Sequence, residues 1–286
     1  MDQRSLDELE YEYNPRKAVP NVEQFALRAA AISRATRSAR ACRLDLRYGP
    51  GPLATLDVFP AASTRAPLHV FLHGGYWRGR DKSDYSYVAD ALVPLGITTV
   101  VMNYDLCPQV ELPAIVQQVR EGFRWIHAHA AELGGAADSI TASGHSAGAH
   151  LIAAALPTRT QAADASAMPR AALLVSGIYE LEPVLAISVN QEIRLRPEQV
   201  DAMSPMRHPP APGVSLAVAV GGRETASFVA QSARFAQVCT GNGIACTYAE
   251  MPGHDHYSVM GLLETPDDPL ARLIDGLARH GCALAK

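Results

Sequence analysis

The sequence predicts an α/β fold, a mostly parallel central sheet with helices on both faces and an N-terminal antiparallel hairpin, in a single domain over residues 1–286. Three observations predict it. Six short runs, Pro67 to Leu72, Ile97 to Met102, Ser139 to Ala142, Ala171 to Ser176, Val214 to Val220 and Ala245 to Met251, are mostly apolar without clean alternation, as in strands covered on both faces. Helical stretches separate most of them, and strands alternating with helices of this length build a parallel sheet. Ahead of them Cys42, Leu44 and Leu46 alternate with polar neighbours, Gly49-Pro50-Gly51-Pro52 turns the chain, and Leu53 to Phe59 returns as the second limb of a hairpin.

Before the hairpin, an acidic stretch with Asp2, Asp7, Glu8, Glu10 and Glu12 leads into Asn21 to Arg40, where Val22, Phe25, Ala26, Ala29 and Ala30 recur at helical spacing. Residues 1–40 therefore read as a helical extension packed on the body, with a structural role. The clearest helix is Pro113 to Glu132: Ile115, Val119, Phe123 and Ile126 form one apolar stripe while Gln117, Gln118, Glu121 and Arg124 point away. Pro113 suits its first turn and Gly134 the position past its end. Residues 178–212, rich in Pro, Glu and Arg, break the alternation and read as an insertion over the sheet edge, a lid.

Composition narrows the function. With 25 Lys+Arg against 29 Asp+Glu, a net charge of -4, the chain offers nucleic acid no clustered basic surface. An acidic start without an apolar run is not a secretory signal, and no run approaches the roughly 20 apolar residues of a membrane helix. A soluble, cytoplasmic protein with no membrane partner is expected, its oligomeric state left open. Five cysteines, Cys42, Cys107, Cys239, Cys246 and Cys282, stand at irregular spacings without a CxxC pair, and read as free, mostly buried thiols. No metal site and no cofactor are expected.

The chemistry centres on Gly144-His145-Ser146-Ala147-Gly148, between the strand ending at Ala142 and the apolar stretch Ala149 to Leu156. A serine on a strand-to-helix turn this tight takes strained backbone angles, and side chains two residues either side would collide. With Gly and Ser each near 7%, a chain of this length holds about 0.1 such matches by chance, so the pentapeptide is moderately specific. Upstream, His73-Gly74-Gly75-Tyr76-Trp77 ends the strand Pro67 to Leu72. Its bare glycine backbone can approach a tetrahedral oxyanion, alongside the N–H of Ala147, the residue after the serine.

A serine hydroxyl needs a general base. With the order Ser, acid, His expected for this arrangement, only His254, His256 and His280 lie late enough, and His280 near the end of the terminal helix reads as solvated. For the acid, Glu224 follows the strand Val214 to Val220 and shares its carboxyl edge, where ligand sites gather. Asp255 competes, but a sequence neighbour rarely folds back to the same ring.

Together the segments HGGYW, Asn103-Tyr104-Asp105-Leu106-Cys107-Pro108, GHSAG, Ser176-Gly177-Ile178-Tyr179-Glu180-Leu181-Glu182-Pro183 and Asp255-His256-Tyr257 resemble the kynurenine formamidase (arylformamidase) group of α/β-hydrolases, over roughly Arg43 to Ile274. The resemblance implies one α/β-hydrolase domain without metal or cofactor, hydrolysing N-formylkynurenine or small aryl esters. It implies Ser146 as nucleophile, Glu224 as acid, His256 rather than His254 as base, and Gly74, Gly75 and Ala147 as the oxyanion hole. The family's acid is often aspartate, and Glu224 is one methylene longer.

The expected activity is therefore cleavage of small aryl amides or esters through an acyl-enzyme at Ser146, in a pocket walled by Tyr76, Trp77, Tyr179 and Asn190. A short-chain aryl carboxylesterase, a carbamate hydrolase or an arylamidase would use the same triad. A non-catalytic binding protein of the same fold would have broken the Ser, the His or the glycines, and all are present.

Overall fold

A computed structural model describes residues 3–280, and of the residues named above Asp2, Cys282 and the side chain of His280 lie outside the described residues. The chain opens with three helices, α1 (Gln3–Tyr13), α2 (Pro15–Ala18) and α3 (Val22–Ala39), before the hairpin β1 (Arg43–Arg47) and β2 (Thr55–Phe59). Strands and helices then alternate: β3 (Ala66–Leu72), α4 (Val88–Leu92), β4 (Thr98–Met102), α5 (Leu112–Ala128), β5 (Gly135–His145), α6 (Ala147–Ala155) and β6 (Ala171–Val175). Two short helices, α7 (Asn190–Ile193) and α8 (Pro197–Met203), precede β7 (Ser215–Gly221), α9 (Ala226–Gly241), β8 (Ala245–Met251) and α10 (Pro269–His280).

The strands form a sheet in the order β1-β2-β4-β3-β5-β6-β7-β8. β2 runs antiparallel to both β1 and β4, and β3 through β8 are parallel. The order reverses at β3, which lies between β4 and β5, so a crevice opens beyond their carboxyl ends. Successive side chains alternate across the sheet and build two cores. One joins Leu68, Val70 and Leu72 to Phe123 of α5, Leu151 of α6 and Phe235 of α9; the other joins Phe71 and Leu173 to Val88 of α4 and Ile274 of α10.

The stripe of α5 is fully buried at Ile115, Val119, Phe123 and Ile126. Each such side chain contributes about 1.5–3 kcal/mol. Gln118 does not point away as expected: its amide bonds the backbone N–H and carboxylate of Asp105. The helix also stops at Ala128, short of Glu132, and Gly134 completes the following turn at φ 82°. β5 runs past Ala142 because Gly144 and His145 stay in register with Leu174 and Val175 of β6. β8 is an edge strand and is half-exposed, unlike the doubly covered strand expected there. Cys107 and Cys239 are buried, Cys42 and Cys246 half-buried, and all four are free thiols. Among the described residues no helix is long and apolar enough to cross a membrane.

Candidate active site

The turn from β5 into α6 holds Ser146 at φ 54°, ψ -118°, a conformation that costs a side-chain-bearing residue about 1–3 kcal/mol. Ser146 N–H donates to Val175 O (2.8 Å), and His150 N–H closes the first helical turn on Ser146 O (3.1 Å). Both motif glycines are steric necessities. A Cβ on Gly144 would stand 2.4 Å from the carbonyl carbon of Gly148, and one on Gly148 would stand 2.1 Å from Leu72 O and 2.6 Å from His73 O. The missing side chains thus let the serine turn press against the end of β3.

His256 and Glu224 arrive from loops after the last two strands. Ser146 Oγ lies 3.0 Å from His256 Nε2, and His256 Nδ1 lies 2.7 Å from Glu224 Oε2. Since a carboxylate only accepts, Nδ1 carries the proton and Nε2 accepts from the serine hydroxyl. The other oxygen of Glu224 accepts from Gly221 N–H (2.8 Å) and from the hydroxyl of Ser176, which makes the buried carboxylate well satisfied. Arg223 N–H donates to His254 O (2.9 Å), tying the acid's loop to the histidine's. Phe228 packs edge-on to the His256 ring at 4.8 Å. Hydroxyl, imidazole and carboxylate in this series can pass a proton from the serine to the ring and hold the resulting imidazolium.

His254 and Asp255 serve the loop instead. The His254 ring bonds Ser258 O, and the Asp255 carboxylate accepts from the N–H groups of Tyr257 and Ser258, a local turn that aims His256. Ala147 is the first residue of α6, so its N–H belongs to the unpaired first helical turn. Gly74 packs on the serine, where a Cβ would stand 3.2 Å from Ser146 Cβ. Gly75 (φ 116°) lines the cavity above it.

That cavity, about 580 Å³, reaches Ser146, His145 and His256. Tyr76 lines it and donates its hydroxyl to Tyr13 O (2.7 Å). The other three expected pocket residues do not. Trp77, at φ 56°, turns beneath the loop, fully buried, and donates Nε1–H to His150 Nδ1 (3.1 Å). Tyr179 is buried in the core against Phe235, with ring centroids 4.1 Å apart. Asn190 spends its amide on the backbone of Leu185 and Leu195, holding the α7 turn.

The outer wall is also not where it was expected. Residues 178–212 reach the cavity through Glu192, while Leu181, Val184, Ile193 and Val200 of that segment pack into the core. The extension expected to be structural supplies the wall instead, with Arg16, Phe25, Arg28 and Ile32. Its charged residues clamp it down: Glu10 accepts from Ser188 (2.7 and 2.6 Å), Glu12 accepts from Ser227 N–H (2.7 Å), and Arg28 pairs with Glu264. Aromatic lining comes from Phe25, Tyr76, Tyr85, Tyr87 and Tyr257.

Sequence reasoning gave Ser176 no role. It directly follows β6 and faces Glu224 across the β6–β7 pair, so the signal was its position at a strand's carboxyl end. Among the described residues no group of three or more His, Cys, Asp or Glu is placed to hold a metal ion.

A family model described as BD-FAE matches residues 56–171. The kynurenine formamidase of Danio rerio is 30% identical, covering 94% of this chain and 95% of its own. That of Drosophila melanogaster is 31% identical, covering 80% and 79%. Among solved structures, a protein from Silicibacter sp. tm1040 superimposes with TM-score 0.80 at 27% identity, covering 92% of this chain and 97% of that one.

Proposed function

Because the chain belongs to the kynurenine formamidase family of α/β-hydrolases, we propose that it is a serine hydrolase cleaving small aryl amides or esters, of the N-formylkynurenine type, through an acyl-enzyme at Ser146. One observation carries the reading: Ser146 Oγ, His256 and Glu224 stand in hydrogen-bond series at 3.0 and 2.7 Å beneath a cavity large enough for an aryl substrate.

In this mechanism His256 Nε2 takes the proton as Ser146 Oγ attacks the acyl carbon, and Glu224 stabilises the imidazolium. The N–H groups of Gly75 and Ala147, with Gly74 giving the backbone room, receive the oxyanion. One such donor is worth about 2.7–4 kcal/mol in related chemistry. The imidazolium then protonates the leaving amine or phenol. Water, deprotonated by the same ring, releases the acid and restores Ser146. An aryl leaving group would stack among Phe25, Tyr85 and Tyr257 for about 0.5–1.5 kcal/mol beyond its burial.

A second reading, a short-chain aryl carboxylesterase, draws on 29% identity to esterase LipQ of Mycobacterium tuberculosis, covering 74% of this chain and 56% of that one. A carbamate hydrolase or an arylamidase would use the same residues. A panel of N-formylkynurenine, other N-acyl anilines, aryl carbamates and p-nitrophenyl esters of increasing chain length, scored by kcat/KM, separates these. The formamidase reading expects its optimum at the formamide. An optimum at a long-chain ester, or no turnover of any aryl substrate, would overturn it.

A further inference from the structure

The cavity wall carries eight charged groups, the arginines Arg16, Arg28, Arg78 and Arg80 and the acids Glu23, Asp84, Glu192 and Glu264. Three ion pairs account for six of them: Arg16–Glu23, Arg28–Glu264 and Arg78–Glu192. Among the described residues no ion pair or hydrogen bond holds the guanidinium of Arg80, although the residue is half-buried. A guanidinium has five donors in a fixed fork, and those of Arg80 are open to a ligand that enters the cavity.

Its placement is built rather than incidental. A Cβ on Gly75 would stand 3.0 Å from Arg80 Cγ, so the arginine stem crosses the candidate oxyanion backbone. Arg80 has φ 74°, and Tyr76 (53°) and Trp77 (56°) are also in the left-handed region, at about 1–2 kcal/mol each. The loop is pinned on both sides. Cys107 N–H donates to Trp77 O (2.8 Å), and the Asp81 carboxylate takes the N–H of Ser83 (2.9 Å) and the amide of Asn103 (2.7 Å). Tyr85 and Tyr257 line the same cavity, and among the described residues neither hydroxyl has a hydrogen-bond partner. Burial pushes both phenols up to about 12, while Arg80 pulls Tyr85 down and Arg16, then Arg80, pull Tyr257 down.

We propose that Arg80, with the hydroxyls of Tyr85 and Tyr257, binds a carboxylate on the leaving group of the substrate. The inference rests on Ser146 being the nucleophile and deepens that reading by naming a specificity-determining residue. The guanidinium fork matches a carboxylate with two parallel bonds. A single charge fits better than a phosphate's two: among the described residues Arg80 is the one cation of the wall outside the three ion pairs, and Asp84, which it attracts, already offsets part of its charge. Substrates of this class therefore carry a carboxylate on the aryl leaving group.

The test compares pairs that differ only in that charge: N-formylkynurenine with its carboxamide, and the acetate ester of 3-hydroxyphenylacetic acid with that of its carboxamide. In the wild type, kcat/KM should favour the acid by at least tenfold, chiefly through KM. Arg80→Gln should lower that ratio at least tenfold, Arg80→Lys should restore part of it, and Tyr257→Phe should lower it several-fold. A wild-type ratio near one, or a ratio unchanged in Arg80→Gln, overturns the proposal. The wild-type ratio decides it even if Arg80→Gln does not fold. Labelling of Ser146 by a fluorophosphonate separates the two readings, since a labelled, Ser146-dependent enzyme with a flat ratio sinks the carboxylate subsite alone.

Discussion

His145 donates its Nε2–H to the main-chain carbonyl of His256 across 2.7 Å, so the residue before Ser146 holds the loop that presents an imidazole to Ser146. Burial first, and the nearby His256 ring second, hold the His145 pKa well below the ordinary histidine value. The ring is therefore neutral with one N–H, and that N–H is committed to the carbonyl. A protonated His145 would place a cation beside the ring that must itself become cationic when it accepts the serine's proton. Its neutrality and its hydrogen bond serve the same end.

Replacing Ser146 with alanine should leave the fold intact and lower turnover by about 10⁴-fold to 10⁶-fold, as when a triad nucleophile is lost elsewhere. Mass spectrometry after fluorophosphonate treatment should find label on Ser146 in the wild type and none in the variant. Retention of more than about a tenth of the activity would refute the assignment.

Glu224→Gln should be far more damaging than Asp255→Asn, because Glu224 meets the ring itself at 2.7 Å while Asp255 accepts only loop N–H groups. By the same geometry His256→Ala should cost more than His254→Ala. Ser176→Ala removes one donor from the buried Glu224 carboxylate, and should cost about 1–3 kcal/mol, expressed as roughly a tenfold or greater drop in kcat. Steady-state kinetics on the five variants gives the order directly, and a reversal in either pair would reassign that member of the triad.

What could be read from the sequence was local. The glycines of Gly144-His145-Ser146-Ala147-Gly148 answer to clashes within a few residues and at the end of one strand, so the motif announces its own geometry. The apolar runs mark their strands because a doubly covered strand has no polar face to spare. Trp77 and Tyr179 failed as pocket residues because adjacency to a motif does not say which way a ring turns. A left-handed backbone sends Trp77 inward, and α9 offers Phe235 to Tyr179. The wall formed by α2 and α3 was hidden for a different reason: Phe25, Ala26 and Ala29 keep helical spacing whether they face a solid core or an open cavity.

Gly148→Ala should be among the most destabilising single-methyl additions in the chain. Its Cβ would sit 2.1 Å from Leu72 O, a backbone atom at the end of a central strand that cannot step aside without moving Gly74 and Gly75. Overpacking of this kind costs about 1–3 kcal/mol when neighbours can shift, and more when they cannot. Urea unfolding should show a midpoint shift beyond that range, or no folded protein. A variant with wild-type stability would mean that the turn is looser than its geometry.

Acid should unfold the protein through its buried histidines. Burial holds His69 at about 3 and His150 at about 4, and keeps His145 well below the ordinary value of about 6.5. Above pH 6.5 these rings are neutral in both folded and unfolded chains and contribute no pH dependence. Between about 6.5 and 4 the unfolded chain binds protons that the native one refuses, so stability rises with pH and falls on acidification. From pH 7 to pH 5 His69 and His150 each cost about 2 kcal/mol, about 4 kcal/mol together, a large share of the whole stability of many domains, and His145 acts in the same direction. For His69 burial alone sets this cost, whereas for His150 the hydrogen bond accepted from Trp77 adds to it. His69 is enclosed by the hydroxyls of Thr141 (2.8 Å) and Ser143 (2.7 Å), and His150 accepts from Trp77 while its own N–H donates to Met203 O (2.8 Å). Urea unfolding at intervals from pH 7.5 to 4.5 measures the slope, and a stability flat from pH 7 to pH 5 would show that these histidines titrate as freely in the folded protein as in the unfolded one.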